Sequence, residues 1–106
     1  EAIHRVKLYE EAGADCVFFP ALKNLDEIKK LRDAVNCPIN LLAVPELPSI
    51  EELSEIGIER VSTGSSPFRA SVSLLKQIGD EIVNKRTFNK MTDNVLSYGE
   101  VSGLVK

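Results

Sequence analysis

Three short apolar segments recur along this chain at an even spacing, and this repeat constrains the fold more than any other feature of the sequence. The segments lie at about residues 14–20, 38–44 and 60–64, and their strand starts, at Cys16, Pro38 and Arg60, are 22 residues apart in each step. Each segment has the length of a β-strand, and segments of helical periodicity separate them. Strands and helices that alternate at this spacing predict βαβ units and a parallel sheet.

Capping residues mark where the intervening helices begin and end. Asn24 with Glu27, and Ser49 with Glu52, have the spacing of helix N-caps and their reciprocal partners. Gly57 follows the second of these helices, where a residue that tolerates positive φ is favoured. The acidic residues in these first turns are therefore interpreted as helix-stabilising groups and not as metal ligands.

A last long helix is predicted over about residues 67–85. Ser66 is the expected N-cap and Pro67 the first helical residue, a favoured pairing. An apolar stripe of helical period follows, formed by Phe68, Val72, Leu75, Ile78 and Ile82. Beyond it the pattern loosens, and a short helix is expected from about Thr92 to Leu104.

Composition places the chain among ordinary globular domains and argues against several partners. It has 106 residues, a net charge of −3 and basic residues scattered among acids, which disfavours nucleic-acid binding. No apolar run approaches the roughly 20 residues that span a bilayer. Cys16 and Cys37 are expected to be buried thiols in a reducing cytoplasm. Because Glu1 already lies inside a helical pattern, we expect the chain to be part of a longer protein.

The strands are apolar on both faces, as in parallel sheets that are covered on both sides. Two architectures fit this pattern: an open doubly wound sheet, or part of a (β/α)8 barrel. A barrel of this type needs about 250 residues. A chain of this length would therefore supply only the last part of one.

Two long stretches resemble the isocitrate lyase and phosphoenolpyruvate mutase superfamily. They are EAIHRVKLYEEAGADCVFFPAL and CPINLLAVPELPSIEELSEIGIERVSTGSSPFRA, and the tail TFNKMTDNVLSYGEVSGLVK is similar to the usual C-terminus of that family. The resemblance implies an α/β fold in which residues 1–106 form the C-terminal three β/α units of a (β/α)8 TIM barrel with parallel strands and a C-terminal helical tail. It assigns all of them to one barrel domain.

The resemblance also implies a function. Members of the superfamily use Mg²⁺ and an enolpyruvate-like intermediate to cleave or form C–C bonds in 2-hydroxy acids, or to rearrange or hydrolyse C–P bonds. Their acidic metal ligands lie on earlier strands, so this chain alone is expected to be inactive and to supply no metal ligand. The full-length protein is expected to be a cytoplasmic lyase or phosphonomutase acting on a small carboxylate or phosphonate. Exchange of the eighth helix in the family implies a homo-oligomer formed through residues 67–85.

One position departs from the lyase branch of the superfamily. In that branch the strand matching ADCVFFPAL ends in Pro-Glu-Ala, and the Glu faces the site. Here the position is Ala21. The departure favours the phosphonomutase-like members, which often lack that Glu.

Candidate substrate-binding residues lie on or after the second and third strands, where barrel sites are built. They are Asn40, Ser62, Gly64 and Ser65. Two roles are open for Asn40, a hydrogen bond to a substrate carboxylate or a bridge between strands, because a buried amide must find partners. Ser65 and Ser66 could hold an anion at a helix start, but the helix cap is the favoured reading. His4 and Glu46 are expected to be solvated.

Two other functions are compatible with the sequence. The first is a stand-alone α/β binding or dimerisation module without catalysis, since the chain holds no complete catalytic constellation. The second is another enolate-forming barrel enzyme such as a ketopantoate hydroxymethyltransferase. The Leu-Pro-Ser and Arg-Val-Ser-x-Gly-Ser motifs favour the mutase superfamily over that enzyme.

Overall fold

The computed structural model describes residues 1–105, and the chain divides into two compact units, Glu1–Ser66 and the segment from Pro67 onward. The first unit holds α1 (Ala2–Glu11), β1 (Val17–Phe19), α2 (Leu25–Ala34), β2 (Ile39–Leu42), α3 (Ile50–Ile56) and β3 (Arg60–Ser62). The second is helical, with α4 (Ser66–Lys85) entering it from Ser66, then α5 (Asn89–Thr92) and α6 (Tyr98–Gly103). The predicted alternation of helices and strands is thus observed. Lys106, the end of the predicted tail, lies outside the described residues.

The three strands form one parallel sheet in the order β1-β2-β3. Val17 pairs with Ile39 on one side of β2, and Leu42 pairs with Ser62 on the other. The strands are shorter than the predicted segments at about 14–20, 38–44 and 60–64. Among the described residues, only the three or four residues of each segment that are in register belong to the ladder, and the flanking residues of the predicted segments lie outside it.

The sheet separates a buried face from a second face, because successive side chains of a strand alternate. On the buried face Ile39 and Leu41 are fully buried against Ile28 of α2 and Leu53 of α3, which are also in the core. The second face carries the alternate residues of the three strands, namely Phe18, Asn40, Leu42, Arg60 and Ser62. The candidate site residues Asn40 and Ser62 therefore lie on the second face.

The predicted caps of the first unit are present. Asn24 Oδ1 accepts a hydrogen bond from the amide of Glu27 at 3.1 Å. Ser49 and Glu52 form a reciprocal capping box, with bonds of 3.2 Å and 2.8 Å. Gly57 ends α3 in the left-handed region with φ 88°, a conformation that favours glycine. These local signals fix both helix starts that precede the second and third strands.

Arg32 ties the amino ends of the strands together. Its Nη2 donates to the carbonyls of Val35 at 2.7 Å and Cys37 at 3.0 Å, and its Nη1 donates to Glu59 Oε1 at 2.9 Å. Glu59 Oε2 in turn accepts from the amide of Ile39 at 2.8 Å. This network lies opposite the carboxyl ends of the strands, so we assign it a structural role.

Helix α4 covers the predicted last long helix and begins one residue earlier, at Ser66. The predicted helix over about Thr92–Leu104 is different: the structure has two short helices, α5 and α6, with Asn94 between them at φ 54°. A left-handed residue interrupts helical geometry, which explains the division. Ser97 and Glu100 then form the capping box that starts α6.

A buried carboxylate organises the turn after α4. Glu81 is 7% exposed and accepts hydrogen bonds from Thr87 Oγ1 at 2.6 Å and from the amides of Lys90 at 2.8 Å and Asn89 at 3.1 Å. These bonds favour the charged carboxylate, so they lower the pKa of Glu81 from its ordinary value. Glu81 thereby caps α5 from the preceding helix.

Candidate functional site

The candidate site lies at the carboxyl ends of the three strands. In parallel α/β sheets, ligands bind at this edge because the loops that leave the strands meet there. The loops are residues 20–24 after β1, 43–49 after β2 and 63–65 after β3. Asn40 lies within the central strand β2, at its second position and two residues before its carboxyl end.

The structure brings two of the four predicted site residues into contact. Asn40 Nδ2 donates a hydrogen bond to Ser62 Oγ at 3.1 Å across the β2–β3 pair. Ser62 Oγ donates in turn to the carbonyl of Leu41 at 3.3 Å. Of the two roles open for Asn40 in the sequence, the bridge between strands is therefore observed.

The remaining polar atom of Asn40 has no partner among the described residues. Asn40 is 4% exposed, and its Oδ1 is buried without a hydrogen bond. The hydroxyl hydrogen of Ser62 is used by Leu41, so Ser62 accepts from Asn40 and the free atom is the acceptor. A carboxylate has no hydrogen to donate. The free atom of Asn40 is therefore suited to a hydroxyl or N–H donor and not to an ionised carboxylate.

Gly64 makes room at the end of β3. Its φ is 53°, and a Cβ placed on it would lie 3.1 Å from Leu42 Cδ1, which is tighter than ordinary packing. Both the backbone conformation and the close approach favour glycine here. Ser65 beside it is exposed. The Ser66 amide donates to the carbonyl of Thr63 at 3.1 Å, so this helix-start amide is used within the fold.

Sequence reasoning missed a pair of charges at this edge. Lys23 Nζ contacts Glu46 Oε2, joining the loop after β1 to the loop after β2. The ammonium of Lys23 lowers the pKa of Glu46 through their hydrogen bond and by charge attraction. Glu46 is exposed, as expected, but it is paired and its φ is 69°. The signal available in the sequence was position, since each residue stands four places after the end of its strand.

Both cysteines are free thiols at the amino ends of β1 and β2, and they are half-buried where the sequence predicts burial. Cys16 Sγ accepts from Arg60 Nη2 at 3.6 Å. Burial, together with the nearby Glu10 carboxylate, raises the pKa of Cys37. Their position opposite the carboxyl edge separates them from the candidate site.

The residues of this edge do not fit a magnesium site. Mg²⁺ in proteins is held mainly by carboxylate oxygens and water. In residues 1–105 no three His, Cys, Asp or Glu side chains come together in a group that could hold a metal ion. The single acid in the three loops, Glu46, is paired with Lys23.

Within residues 1–105, no helix is long and apolar enough to cross a membrane.

Removing the Ser62 hydroxyl tests the strand bridge. In Ser62→Ala, Asn40 loses the acceptor of its Nδ2 and has two unpartnered buried polar atoms. The expected loss of unfolding free energy is about 1–3 kcal/mol, the cost of an unsatisfied buried donor. Urea titration of the intact protein measures it. Ser65→Ala, an exposed neighbour, is the control and is expected to stay within about 0.5 kcal/mol of wild type. Equal stability of the two variants would contradict the bridge.

Comparison with known proteins extends these observations. The sequence profile of the family described as phosphoenolpyruvate phosphomutase matches residues 1–83. An uncharacterized protein of Mycobacterium tuberculosis is 46% identical over 70 residues, which are 66% of this chain and 27% of that protein. The 2-methylisocitrate lyase of Aeropyrum pernix is 29% identical over 109 residues, covering 99% of this chain and 35% of the lyase.

Solved structures agree on the fold. A protein of Burkholderia cenocepacia provisionally identified as a lyase/mutase superposes with a TM-score of 0.87 at 28% identity, over 97% of this chain and 37% of that one. The phosphoenolpyruvate phosphomutase of Streptomyces platensis subsp. rosaceus gives a TM-score of 0.71 at 22% identity, over 98% of this chain and 38% of that one.

The chain thus spans between a quarter and two-fifths of the length of the relatives it matches. The family profile covers most of the chain, and it includes all three strands and most of α4. The resemblance read from the motifs is confirmed. The chain belongs to the phosphoenolpyruvate phosphomutase family, within the superfamily of phosphoenolpyruvate mutase and isocitrate lyase enzymes.

Proposed function

We propose that this chain is the C-terminal part of a (β/α)8 barrel enzyme that acts on C–C or C–P bonds of small carboxylates through an enolpyruvate-like intermediate. The observation that carries the proposal is the match of an enzyme family to residues 1–83. It favours an enzyme over the stand-alone binding module. A relative named 2-methylisocitrate lyase and another named oxaloacetate decarboxylase support small carboxylic acids as the substrate class.

The free edge of β1 supports the barrel. Within residues 1–105 the sheet has three strands, so β1 pairs only with β2. A groove of about 980 Å³ runs beside this edge between α1 and β1, and Phe18 there is 51% exposed. An exposed apolar strand edge is a template for another strand. In the proposed barrel, the preceding β/α unit fills this groove.

The chain supplies positioning groups and not the metal. Mg²⁺, when bound in such an enzyme, neutralises charge that develops on an enolate oxygen. Because the described residues hold no fitting cluster, its ligands in this proposal belong to other strands. Asn40 Oδ1 accepts a hydrogen bond from a substrate hydroxyl, and Ser62 holds the amide in place. Gly64 and Ser65 line the mouth. The chain alone is then inactive.

An assay of the intact protein tests the function. With Mg²⁺ present, turnover is expected for at least one of 2-methylisocitrate, phosphonopyruvate and oxaloacetate. In Asn40→Leu the expected loss in kcat/KM for that substrate is about tenfold or more, because one buried hydrogen bond to substrate disappears. Asn36→Leu, an exposed amide at the amino end of the sheet, is the control and keeps wild-type kinetics.

Two results would contradict this proposal. The first is a folded intact protein that turns over none of the three substrates. The second is an Asn40→Leu variant with wild-type kcat/KM, which would leave the bridge to Ser62 as the whole role of Asn40.

We also propose a cytoplasmic homo-oligomer that assembles through α4. Along the predicted apolar stripe, Phe68 is 71% exposed and Leu75 66% exposed. Exposed apolar side chains at helical spacing favour burial against another helix. The neighbouring positions Val72, Ile78 and Ile82 extend the same stripe.

A charge placed on this stripe tests the assembly. Leu75→Asp is expected to shift the intact protein to a smaller species in size-exclusion chromatography with light scattering, because burying an unpaired carboxylate is unfavourable. Ser73→Asp adds the same charge on the opposite side of α4 and is expected to keep the wild-type mass. A wild-type protein that is already monomeric would refute the proposal.

A further inference from the structure

A single cation lies on the second face of the sheet within the described strands. Arg60 is the first residue of β3, and its Cα is opposite that of Asn40 in the strand register. Its Nη2 donates a hydrogen bond to the Sγ of Cys16, just before β1, at 3.6 Å. Because β2 lies between β1 and β3, this bond reaches across the central strand. The side chain of Arg60 therefore lies along the second face.

No acid in residues 1–105 balances the charge of Arg60. The ion pairs among these residues involve other cations, and the neighbouring acid Glu59 is bonded to Arg32. A thiol such as that of Cys16 is only a weak acceptor. The guanidinium, which has five N–H donors, thus has no anionic partner in this part of the chain. The other residues that the strands place on this face are uncharged, namely Phe18, Asn40, Leu42 and Ser62.

The proposed barrel would place this cation in an interior. Helices α2 and α3 pack on the buried face of the sheet, so the second face is the one that points into the barrel. A barrel of this type is filled with packed side chains. Arg60 is exposed in residues 1–105, and closure of the barrel would remove it from water. Burial of an unpaired charge is unfavourable, so buried charges are paired.

We propose that Arg60 forms an ion pair inside the barrel with the carboxylate of an Asp or Glu on the strands that complete it. The inference rests on the proposed barrel and adds a contact by which its two parts recognise each other. This chain covers 35% of the Aeropyrum pernix lyase, so most of such a barrel lies beyond the matched part and can supply the acid. The planar guanidinium suits a carboxylate, because two parallel N–H donors match its two oxygens.

The ion pair is separate from the candidate site. Arg60 starts β3, so the pair lies toward the amino ends of the strands, whereas barrel active sites are built at the carboxyl ends. Its loss is therefore expected to lower the stability of the intact protein.

Arg60→Met tests the pair in the intact protein, because it leaves the carboxylate buried without a partner. The equilibrium constant for unfolding, measured by urea titration, is expected to rise about a hundredfold or more. Arg60→Lys keeps the positive charge and is expected to lie between wild type and Arg60→Met. Lys29→Met removes an exposed charge on α2 and is the control, with an expected change of about two- to threefold at most.

The pH dependence separates an ion pair from simple packing. Without Arg60, burial disfavours the charged carboxylate and raises its pKa in the folded variant. Folded Arg60→Met then binds a proton more tightly than its unfolded chain does, so it gains stability as the pH falls. The difference from wild type is expected to shrink from about pH 7.5 to about pH 5.5. A difference that stays the same across this range would show that only packing is lost, and it overturns the proposal.

A measurement on the wild-type protein decides the question if Arg60→Met does not fold. Phenylglyoxal modifies accessible guanidinium groups, and mass mapping of peptides locates the modified arginines. Arg60 is expected to stay unmodified in the folded intact protein and to react once the protein is unfolded in urea. Ready modification of Arg60 in the folded protein overturns the proposal, as does an Arg60→Met variant with wild-type stability.

These results are separable from failure of the proposed function. The turnover assay with 2-methylisocitrate, phosphonopyruvate and oxaloacetate is read independently of stability and of arginine modification. A protein that turns over one of these acids while its Arg60 reacts freely would keep the function and lose this ion pair.

Discussion

The central strand β2 is the constraint on which the first unit depends. It is paired with a parallel neighbour on each side, and Ile39 and Leu41 on its buried face are inaccessible to solvent. Backbone N–H and C=O groups buried this way must be hydrogen-bonded. The two neighbouring strands supply hydrogen-bond partners for β2, and α2 and α3 bury its apolar side chains. Arg32 and Glu59 fix its amino end through the carbonyl of Cys37 and the amide of Ile39.

The same strand positions the candidate site. Alternation along β2 sends Ile39 and Leu41 into the core and leaves Asn40 on the second face. There its amide donates to Ser62 on β3 while its carbonyl oxygen has no donor within residues 1–105. A half-satisfied buried amide is costly in a protein interior. In the proposed enzyme, a substrate hydroxyl donates the missing hydrogen bond to Asn40, so this side chain both joins two strands and binds substrate.

Local chemistry explains how much of this the sequence predicts. The caps at Asn24 and Ser49, and the left-handed glycine at Gly57, act over three or four residues, so their spacing alone predicts them. The equal spacing of the apolar segments predicts the parallel sheet. Asn40, Ser62 and Gly64 stand out because they are polar or small positions in apolar strands.

Contacts between residues far apart in the chain were not predicted from the sequence. The pairs Lys23–Glu46 and Arg32–Glu59 join residues more than 20 positions apart, so capping motifs and hydrophobic periodicity do not predict them; only the matching positions of Lys23 and Glu46 after their strands give a signal. Which polar atom of the Asn40 side chain faces Ser62 depends on the hydrogen bond from Ser62 Oγ to the carbonyl of Leu41. That bond exists only in the folded strand register. The division of the tail at Asn94 depends on one left-handed residue inside an otherwise permissive helical pattern.

The free edge of β1 is the most direct place to test whether this chain is an arc of a barrel. The Val17 amide donates to the carbonyl of Pro38, the residue just before β2, so by the alternation of a parallel ladder the Phe18 amide points to the other side. Hydrogen exchange of that amide in the intact protein is the decisive measurement. Strong protection of Phe18, comparable to that of the β2 amides, is the result expected when a further strand pairs with β1. Free exchange at Phe18 beside protected β2 amides would contradict the barrel.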